Sequence, residues 1–277
     1  MPAPTHPAPP RLFDRALHRK RLDRAAPGYA KADFLQRRAA TDVAERLAAI
    51  MQTFTVAVDL SARGGVFAEA LAQEAPRKVG TLIETDLSPP MLAGRAGLRV
   101  AADEERLPFA PASLDLIVST LGLHWTNDVV GALIQARRAL KPDGLFIAAF
   151  LGGVTLTELR QSLVAAESEI LGGAGSRVSP FADLQDAAGL LSRAGFVQPV
   201  TDVDRVTVTY EHPLKLLLDL RQMGETSVLA DRHPRKLTRP LLARMAEIYV
   251  ERFGADDGRV PATFEIITLT GWAAAQA

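Results

Sequence analysis

The chain has 277 residues and no cysteine, and its 32 basic and 32 acidic side chains give a formal net charge of zero. Without cysteine, the sequence excludes disulfides, cysteine-ligated zinc, thiolate-bound iron–sulfur clusters and thiol catalysis. Hydrophobic residues make up 48% of the chain, which supplies a sizeable core and excludes a disordered protein. The zero net charge gives no electrostatic reason to expect a nucleic acid as a partner.

The amino-terminal region predicts a tail and then a helical cap. Residues 1–10 hold five prolines, so we expect a disordered Pro-rich tail there and no apolar signal core. Residues 11–52 carry an approximate helical stripe of apolar side chains, which Thr41 or Asp42 could interrupt. The basic side chains between residues 11 and 24 indicate either a solvated helix face or a lid or docking helix for a protein partner.

The sequence favours a cytoplasmic location. Its apolar runs fall short of the roughly 18 uninterrupted residues of a membrane-spanning helix, so no span is expected. The Arg-rich segment after the tail carries Asp14 and Asp23, whereas mitochondrial transit peptides are poor in acidic residues. The absence of cysteine suits a reducing compartment.

From residue 53 onward, short apolar runs alternate with stretches of helical periodicity. The runs predict strands at residues 55–60, 79–87, 99–103, 114–123 and 145–152. A helix is also expected to begin at Ser88-Pro89-Pro90. Such alternation predicts an α/β fold with a mostly parallel sheet covered by helices on both faces.

The pattern changes in the carboxyl-terminal part of the chain. Helical segments there are mixed with two strand-like runs, at residues 202–211 and 263–274. They fit added helices and antiparallel strands that close one edge of the sheet, in an insertion around residues 155–260 of an α/β domain that spans 53–277. The order of these strands stays open at this point.

Acidic residues follow the first three predicted strands. Asp59 ends the first strand ahead of a turn of mostly small residues, Asp86 ends the second, and Asp103 and Glu104 follow the third. Ligands of open α/β sheets bind beyond the carboxyl ends of the strands. An acid after the second strand can accept ribose hydroxyls, and one after the third can accept an adenine amine. Because acids disfavour a diphosphate and tolerate a cation, these positions favour a nucleoside with a sulfonium, S-adenosylmethionine.

These segments resemble the successive motifs of class I S-adenosylmethionine-dependent methyltransferases, over roughly residues 40–152. The strings LPFAPASLDLIVS and LKPDGLF are similar to common patterns of that superfamily. A narrower resemblance, through LFDRALHRKRLDRAA, LRQMGET and PATFEIITLTGW, is to the complex I assembly factor 5 family and runs from residue 12 to 272. It implies the class I, Rossmann-like fold, S-adenosylmethionine as cofactor, and a protein substrate, with a complex I subunit as the candidate.

The resemblance also implies roles for the residues at the strand ends. Asp59, with Ser61, Gly64 and Gly65 in the following turn, is implied near the methionine part of the cofactor. Asp86 is implied at the ribose, and Asp103 with Glu104 at the adenine. The chain departs at one place from the usual D-x-G-x-G-x-G motif of the superfamily.

That departure lies in the turn after the first strand. Ser61 stands at the first glycine position and Arg63 at the second, while Gly65 keeps the third. Ser61 is small enough to be tolerated. Arg63 has to adopt a different backbone conformation or point outward.

His124 is the one candidate for a catalytic residue, and a weak one. It could act as a general base or orient a substrate, but a hydrogen-bonded structural histidine is the simpler alternative. Its spacing to Asp128 invites a metal site, yet the other histidines lie far away in sequence and Asp128 is explained as a helix N-cap, so no metal is expected. Arg221 and Glu225 indicate an internal ion pair, with substrate binding as the alternative.

Three functions remain open on the sequence. The first is an S-adenosylmethionine-dependent enzyme that methylates a protein subunit or hydroxylates its arginine. Methyl transfer would be an in-line displacement driven by orientation and would need little acid–base chemistry, whereas hydroxylation needs oxygen and an electron source, for which we identify no iron or flavin motif. The second is a malonyl-carrier-protein or small-molecule O-methyltransferase, like the biotin-pathway enzymes. The third is a non-catalytic assembly chaperone with the same fold.

Overall fold

A computed structural model of the chain describes residues 11–180, 184–231 and 237–275. The predicted Pro-rich tail, residues 1–10, lies outside the described residues. None of the described helices combines the length and the apolar character that a membrane crossing requires.

One sheet of seven strands organises the described chain. The strands are β1 (Phe54–Leu60), β2 (Val79–Asp86), β3 (Leu98–Ala101), β4 (Leu114–Thr120), β5 (Leu140–Gly152), β6 (Val197–Tyr210) and β7 (Val260–Trp272). Their order across the sheet is β3-β2-β1-β4-β5-β7-β6. The first five run parallel, and β7 is antiparallel to both of its neighbours. The predicted mostly parallel α/β fold with an antiparallel edge is therefore confirmed.

The structure decides the order of the last two strands, which the sequence left open. β7 lies between β5 and β6, with Leu145 paired to Trp272 and Tyr210 paired to Val260. β7 is buried along most of its length, whereas β6 alternates exposed and half-buried residues. A polar, alternating strand suits the edge of a sheet, and a nearly continuous buried run suits its interior.

Helices cover both faces of the sheet and also form the amino-terminal cap. They are α1 (Arg15–Ala25), α2 (Phe34–Ala49), α3 (Val66–Glu74), α4 (Val129–Ala139), α5 (Thr157–Leu171), α6 (Leu184–Arg193), α7 (Pro213–Met223) and α8 (Arg239–Phe253). Adjacent side chains of β1 alternate between the two layers: Ala57 joins the core under the cap, and Val58 joins the core under α4 and α6. This alternation is what a strand buried on both faces requires.

Two local expectations differ from the structure. The cap helix is not interrupted at Thr41 or Asp42, because the Asp42 carboxylate pairs with Arg46 one turn later at 2.7 Å. The break comes earlier, in a 3₁₀ turn over Ala26–Lys31 that contains Pro27 and Gly28. The helix expected at Ser88 is only the 3₁₀ turn Pro89–Leu92, which ends before a left-handed glycine at position 94.

Asp128 caps α4, as the sequence predicted, by accepting a hydrogen bond from the backbone N–H of Gly131 at 2.7 Å. We expect Asp128→Ala to lower the free energy of unfolding by about 1 kcal/mol, because one amide of the first turn loses its acceptor. Urea unfolding followed by circular dichroism measures this. Asp128→Asn keeps the acceptor and serves as the control, and equal losses in both variants would contradict a capping role.

Candidate functional site

The candidate site lies at the carboxyl ends of the parallel strands. β1 is at the centre of the parallel part, with β2 on one side and β4 on the other. The chain builds the sheet outward in one direction through β2 and β3, and in the other through β4 and β5. This reversal next to β1 is the topological switch point, where open α/β sheets form their ligand-binding crevice.

The loop after β1 bends through several left-handed residues. Ser61, Arg63, Gly64 and Gly65 have φ angles of 71°, 44°, 76° and 81°. Glycine adopts this region freely, whereas a residue with a side chain is strained there by roughly 1–2 kcal/mol. Arg63 thus keeps a backbone conformation suited to glycine and points inward, with its residue only 1% exposed. The sequence predicted either a different backbone conformation or an outward side chain at Arg63, and both alternatives are wrong.

Asp59 is completely buried at the end of β1. Neither oxygen of its carboxylate has a hydrogen-bond partner among the described residues. Burial raises the pKa of Asp59 well above its ordinary value, and the negative charges of Glu84 and Asp86 add to the effect. Asp59 does not act as a helix cap, because a cap accepts backbone amides and this carboxylate accepts none.

Asp86 connects the loops that follow β1 and β2. Its Oδ2 accepts the backbone N–H of Arg63 at 3.1 Å, and its Oδ1 accepts that of Ser88 at 2.8 Å. The residue is 1% exposed. Burial raises its pKa, although the Arg63 charge and the two amides oppose this shift. Asp86 therefore holds the two adjoining turns, and its carboxylate also faces the guanidinium of Arg63.

The Arg63 guanidinium lies in front of Asp86, with Nη1 3.8 Å from Oδ1. Its two Nη atoms have no hydrogen-bond partner among the described residues. Burial alone would lower the pKa of Arg63, but the negative charges of Asp86 and Glu225 outweigh it and raise the pKa, so the group stays charged. A buried cation is therefore held at the rim by charge and not by hydrogen bonds.

A second arginine reaches the rim from the cap. Arg15 of α1 pairs with Asp103 at 2.6 Å and also pairs with Glu104, and its Nη1 donates to the Trp125 carbonyl at 3.1 Å. Ser61 Oγ donates to Glu104 Oε1 at 2.6 Å. Burial would raise the pKa of Glu104, but Arg15 and the Ser61 hydroxyl outweigh it and hold the pKa below its ordinary value. Sequence reasoning placed Arg15 only in a basic cluster, since its partners are 88 and 89 residues away.

His124 lies on the 3₁₀ turn Leu123–Trp125 after β4. Its Nε2 is 3.0 Å from Glu225 Oε2, which also accepts the indole N–H of Trp125 at 2.7 Å. A carboxylate only accepts, so His124 donates from Nε2 to Glu225. Glu225 thus partners His124 and Trp125 instead of Arg221, and the predicted ion pair is wrong.

Comparison with known proteins places this arrangement in a family. Residues 58–148 match the family described as a methyltransferase domain. The mitochondrial arginine hydroxylase NDUFAF5 of Danio rerio is 40% identical over 268 residues, which cover 94% of this chain and 82% of that protein. This chain belongs to the NDUFAF5 family. The sequence motifs predicted this family, and the comparison confirms the prediction.

Two methyltransferases are also similar to this chain. The malonyl-[acyl-carrier protein] O-methyltransferase of Laribacter hongkongensis is 34% identical over 275 residues, covering 94% of this chain and 89% of that enzyme. Phosphoethanolamine N-methyltransferase 2 of Haemonchus contortus, solved with S-adenosyl-L-methionine, covers 94% of this chain and 60% of its own with a TM-score of 0.55. At 17% identity, the latter likeness shows the class I fold alone.

Next to the rim, this member of the NDUFAF5 family has a cavity of about 230 Å³. It lies between the segment before α1, the turn after β4 and the end of β5. Most of its walls are apolar, and His124, Thr126 and Asn127 supply the polar side chains. The apolar lining residues are Leu12, Phe13, Leu123, Val129, Phe150, Leu151, Pro180 and Leu190. The cavity can take a mainly apolar group beside the imidazole.

His18, between the cap and the rim, makes the free energy of unfolding depend on pH. It is completely buried, and burial, with the charges of Arg63 and Arg15, lowers its pKa well below the ordinary value. The unfolded chain therefore binds a proton that the folded chain does not. The stability that the uncharged His18 contributes to the folded chain is fully present above the unfolded-state pKa of about 6.5. It is lost as the pH falls below that value, by up to about 1.4 kcal/mol per pH unit.

Replacing the titrating group should remove this dependence. We expect the difference in unfolding free energy between the native chain and His18→Gln to shrink as the pH falls from 7 to 5 (roughly the window set by that pKa). Urea unfolding at a series of pH values measures it. His212, exposed at the start of α7, provides the control in His212→Gln, and a pH-independent difference for His18→Gln would contradict a neutral buried imidazole.

Proposed function

We propose that this chain is an enzyme that binds S-adenosylmethionine at the carboxyl rim of β1, β2 and β3 and modifies a protein subunit during assembly of respiratory complex I. The observation that carries the proposal is the gathering of Asp59, Asp86 and the pair Asp103 and Glu104 around the loop after β1. Membership of the NDUFAF5 family supports a protein substrate and a modified arginine side chain.

The acidic residues suit this cofactor. Asp59 is a buried carboxylate with no partner among the described residues, so a cationic group beside it would compensate its burial. In the bound state Asp86 would accept ribose hydroxyls, and Asp103 with Glu104 would accept the adenine amine. Ser61, Gly64 and Gly65 form the turn against which the methionine part would lie. When bound, the cofactor supplies an activated methyl group on its sulfonium.

The residues around the apolar cavity would receive the group to be modified. The Glu225 carboxylate accepts from His124 Nε2 and fixes the orientation of the imidazole ring. His124 would then hold or accept a proton from the substrate, while the apolar walls exclude water from it. Orientation of the substrate against the rim accounts for most of the rate in a displacement of this kind.

Two measurements test the proposal. Calorimetric titration of the purified chain with S-adenosylmethionine and S-adenosylhomocysteine should give binding in the micromolar range. In cells that lack the gene, one complex I peptide should lose the mass of a methylene group or of an oxygen atom, and the lost group identifies the reaction. Absence of binding by a folded protein would favour the non-catalytic chaperone, and unchanged subunit masses would exclude a modification of complex I.

The second candidate is methylation of an acyl carrier protein substrate. The apolar cavity favours it, because an acyl group is at home against apolar walls whereas a guanidinium is not, and a malonyl-[acyl-carrier protein] O-methyltransferase is 34% identical. Formation of a methyl ester on malonyl carrier protein, with a biotin requirement in the deletion strain, would establish it. The cytoplasmic location stays a prediction, since the NDUFAF5 relatives are mitochondrial proteins by name.

A further inference from the structure

Arg63 occupies the part of the rim that faces Asp86. We propose that its guanidinium is a built-in counter-ion that competes with the nucleoside for Asp86, and that Arg63 thereby sets the affinity of this chain for its cofactor. The inference rests on the proposed function, because it concerns the same site. It distinguishes this chain from proteins that keep glycine at the second position of the motif.

The space in front of Asp86 is already filled. Asp86 is 1% exposed, and so is Arg63, whose guanidinium lies 3.8 Å in front of it. At the neighbouring substituted position, the hydroxyl of Ser61 lies 1.8 Å from where a Cβ on Gly122 would be. The loops after β1 and β4 therefore close on each other around Ser61, while Arg63 fills the space in front of Asp86. A ribose can reach Asp86 only after the Arg63 side chain has turned away.

The positive charge of Arg63 compensates the acids of the rim. Asp86, the buried Glu104 and the half-buried Glu225 all stabilise the positive charge of Arg63, so these acids are already compensated before a ligand arrives. A cationic cofactor has to replace that compensation. The neighbouring acid that lacks a hydrogen-bond partner, Asp59, also feels the Arg63 charge. The guanidinium thus reduces the attraction of the whole rim for a sulfonium.

The Arg63 side chain is held only weakly in its place. Neither Nη atom of Arg63 makes a hydrogen bond among the described residues, and the residue holds a left-handed φ of 44° that costs a side-chain-bearing residue energy. Ion pairs without hydrogen bonds lack fixed geometry, so the side chain can be displaced by a ligand that meets the acids better. The competition is therefore reversible and appears as a weaker apparent affinity.

Titration calorimetry on the full chain tests the inference, with S-adenosylhomocysteine and S-adenosylmethionine as the probes. Arg63→Gly restores the glycine, and Arg63→Gln removes the charge while it keeps a long side chain for the case that the glycine variant folds poorly. Both should bind S-adenosylhomocysteine about tenfold more tightly than the native chain, which corresponds to about 1.4 kcal/mol. Thermal unfolding without ligand shows whether each variant is folded.

The control is Arg99→Gln, which removes one positive charge from an exposed residue on β3. It should leave the affinity within about twofold, because exposed charges are screened by water and salt. Equal binding by the two Arg63 variants, while the native chain binds, would overturn the inference. Weaker binding would also overturn it and would assign Arg63 to the ligand's carboxylate. Absence of binding by the native chain and by both variants would overturn the proposed function as well.

Discussion

Arg15→Ala should lower the free energy of unfolding by about 3 kcal/mol, the largest effect that we expect from a single charge in this protein. Arg15 is the contact between the cap and the rim, since it pairs with Asp103 and with the buried Glu104. Its removal leaves the Glu104 carboxylate buried without its main counter-charge. Breaking one side of a buried pair costs more than the pair contributes, because the remaining charge stays desolvated. Urea unfolding at neutral pH measures the loss.

Two variants separate this ion pair from general effects on α1. Arg19→Ala removes an exposed arginine from the same helix, and it should change the unfolding free energy by no more than about 0.5 kcal/mol. Arg15→Lys keeps the charge but loses the forked geometry that reaches two carboxylates, so its loss should lie between the other two. Equal effects of Arg15→Ala and Arg19→Ala would show that Arg15 does not anchor the cap.

Asp86→Asn should weaken the binding of S-adenosylhomocysteine about 30-fold, or about 2 kcal/mol, in line with the loss of hydrogen bonds to a charged acceptor. Asparagine has the size of aspartate and retains one oxygen that can accept a backbone N–H from the adjoining loops. The change therefore removes the charge and one of the two acceptors that hold the adjoining loops. Calorimetric titration measures the affinity, and thermal unfolding reports whether the loss of the Arg63 counter-charge also destabilises the fold.

The matched control for this prediction lies at the opposite end of the sheet. Asp115 accepts the backbone N–H of Val56 at 2.8 Å and pairs with Lys141 at 2.8 Å, so Asp115→Asn makes the same chemical change far from the rim. It should leave the affinity for S-adenosylhomocysteine unchanged. Native affinity in Asp86→Asn would mean that the nucleoside does not lie against β2, and the site would have to be sought elsewhere on the rim.

The sequence by itself determined the parallel part of the fold and the position of the acids. β1 and β4 are largely buried, and such strands leave continuous apolar runs that can be read locally. β2 is exposed or half-buried at its start and buried only in its last three residues. Because parallel strands end at the same edge of the sheet, an acid that ends each run had to reach a common rim. This pattern alone predicts that Asp59 and Asp86 lie at the rim. The cap on α4 at Asp128 was equally local, since donor and acceptor are three residues apart.

Only the tertiary structure decided what these acids face. Arg15 meets Asp103 across 88 residues, and Glu225 meets His124 across 101. The position of β7 between β5 and β6 is likewise a long-range pairing. Contacts of this length leave no periodicity in the sequence, because they depend on how separate elements pack. The same holds for Arg63: its place in a glycine motif is visible in the sequence, but its inward direction follows from the charge of Asp86, Glu104 and Glu225 around the closed loop.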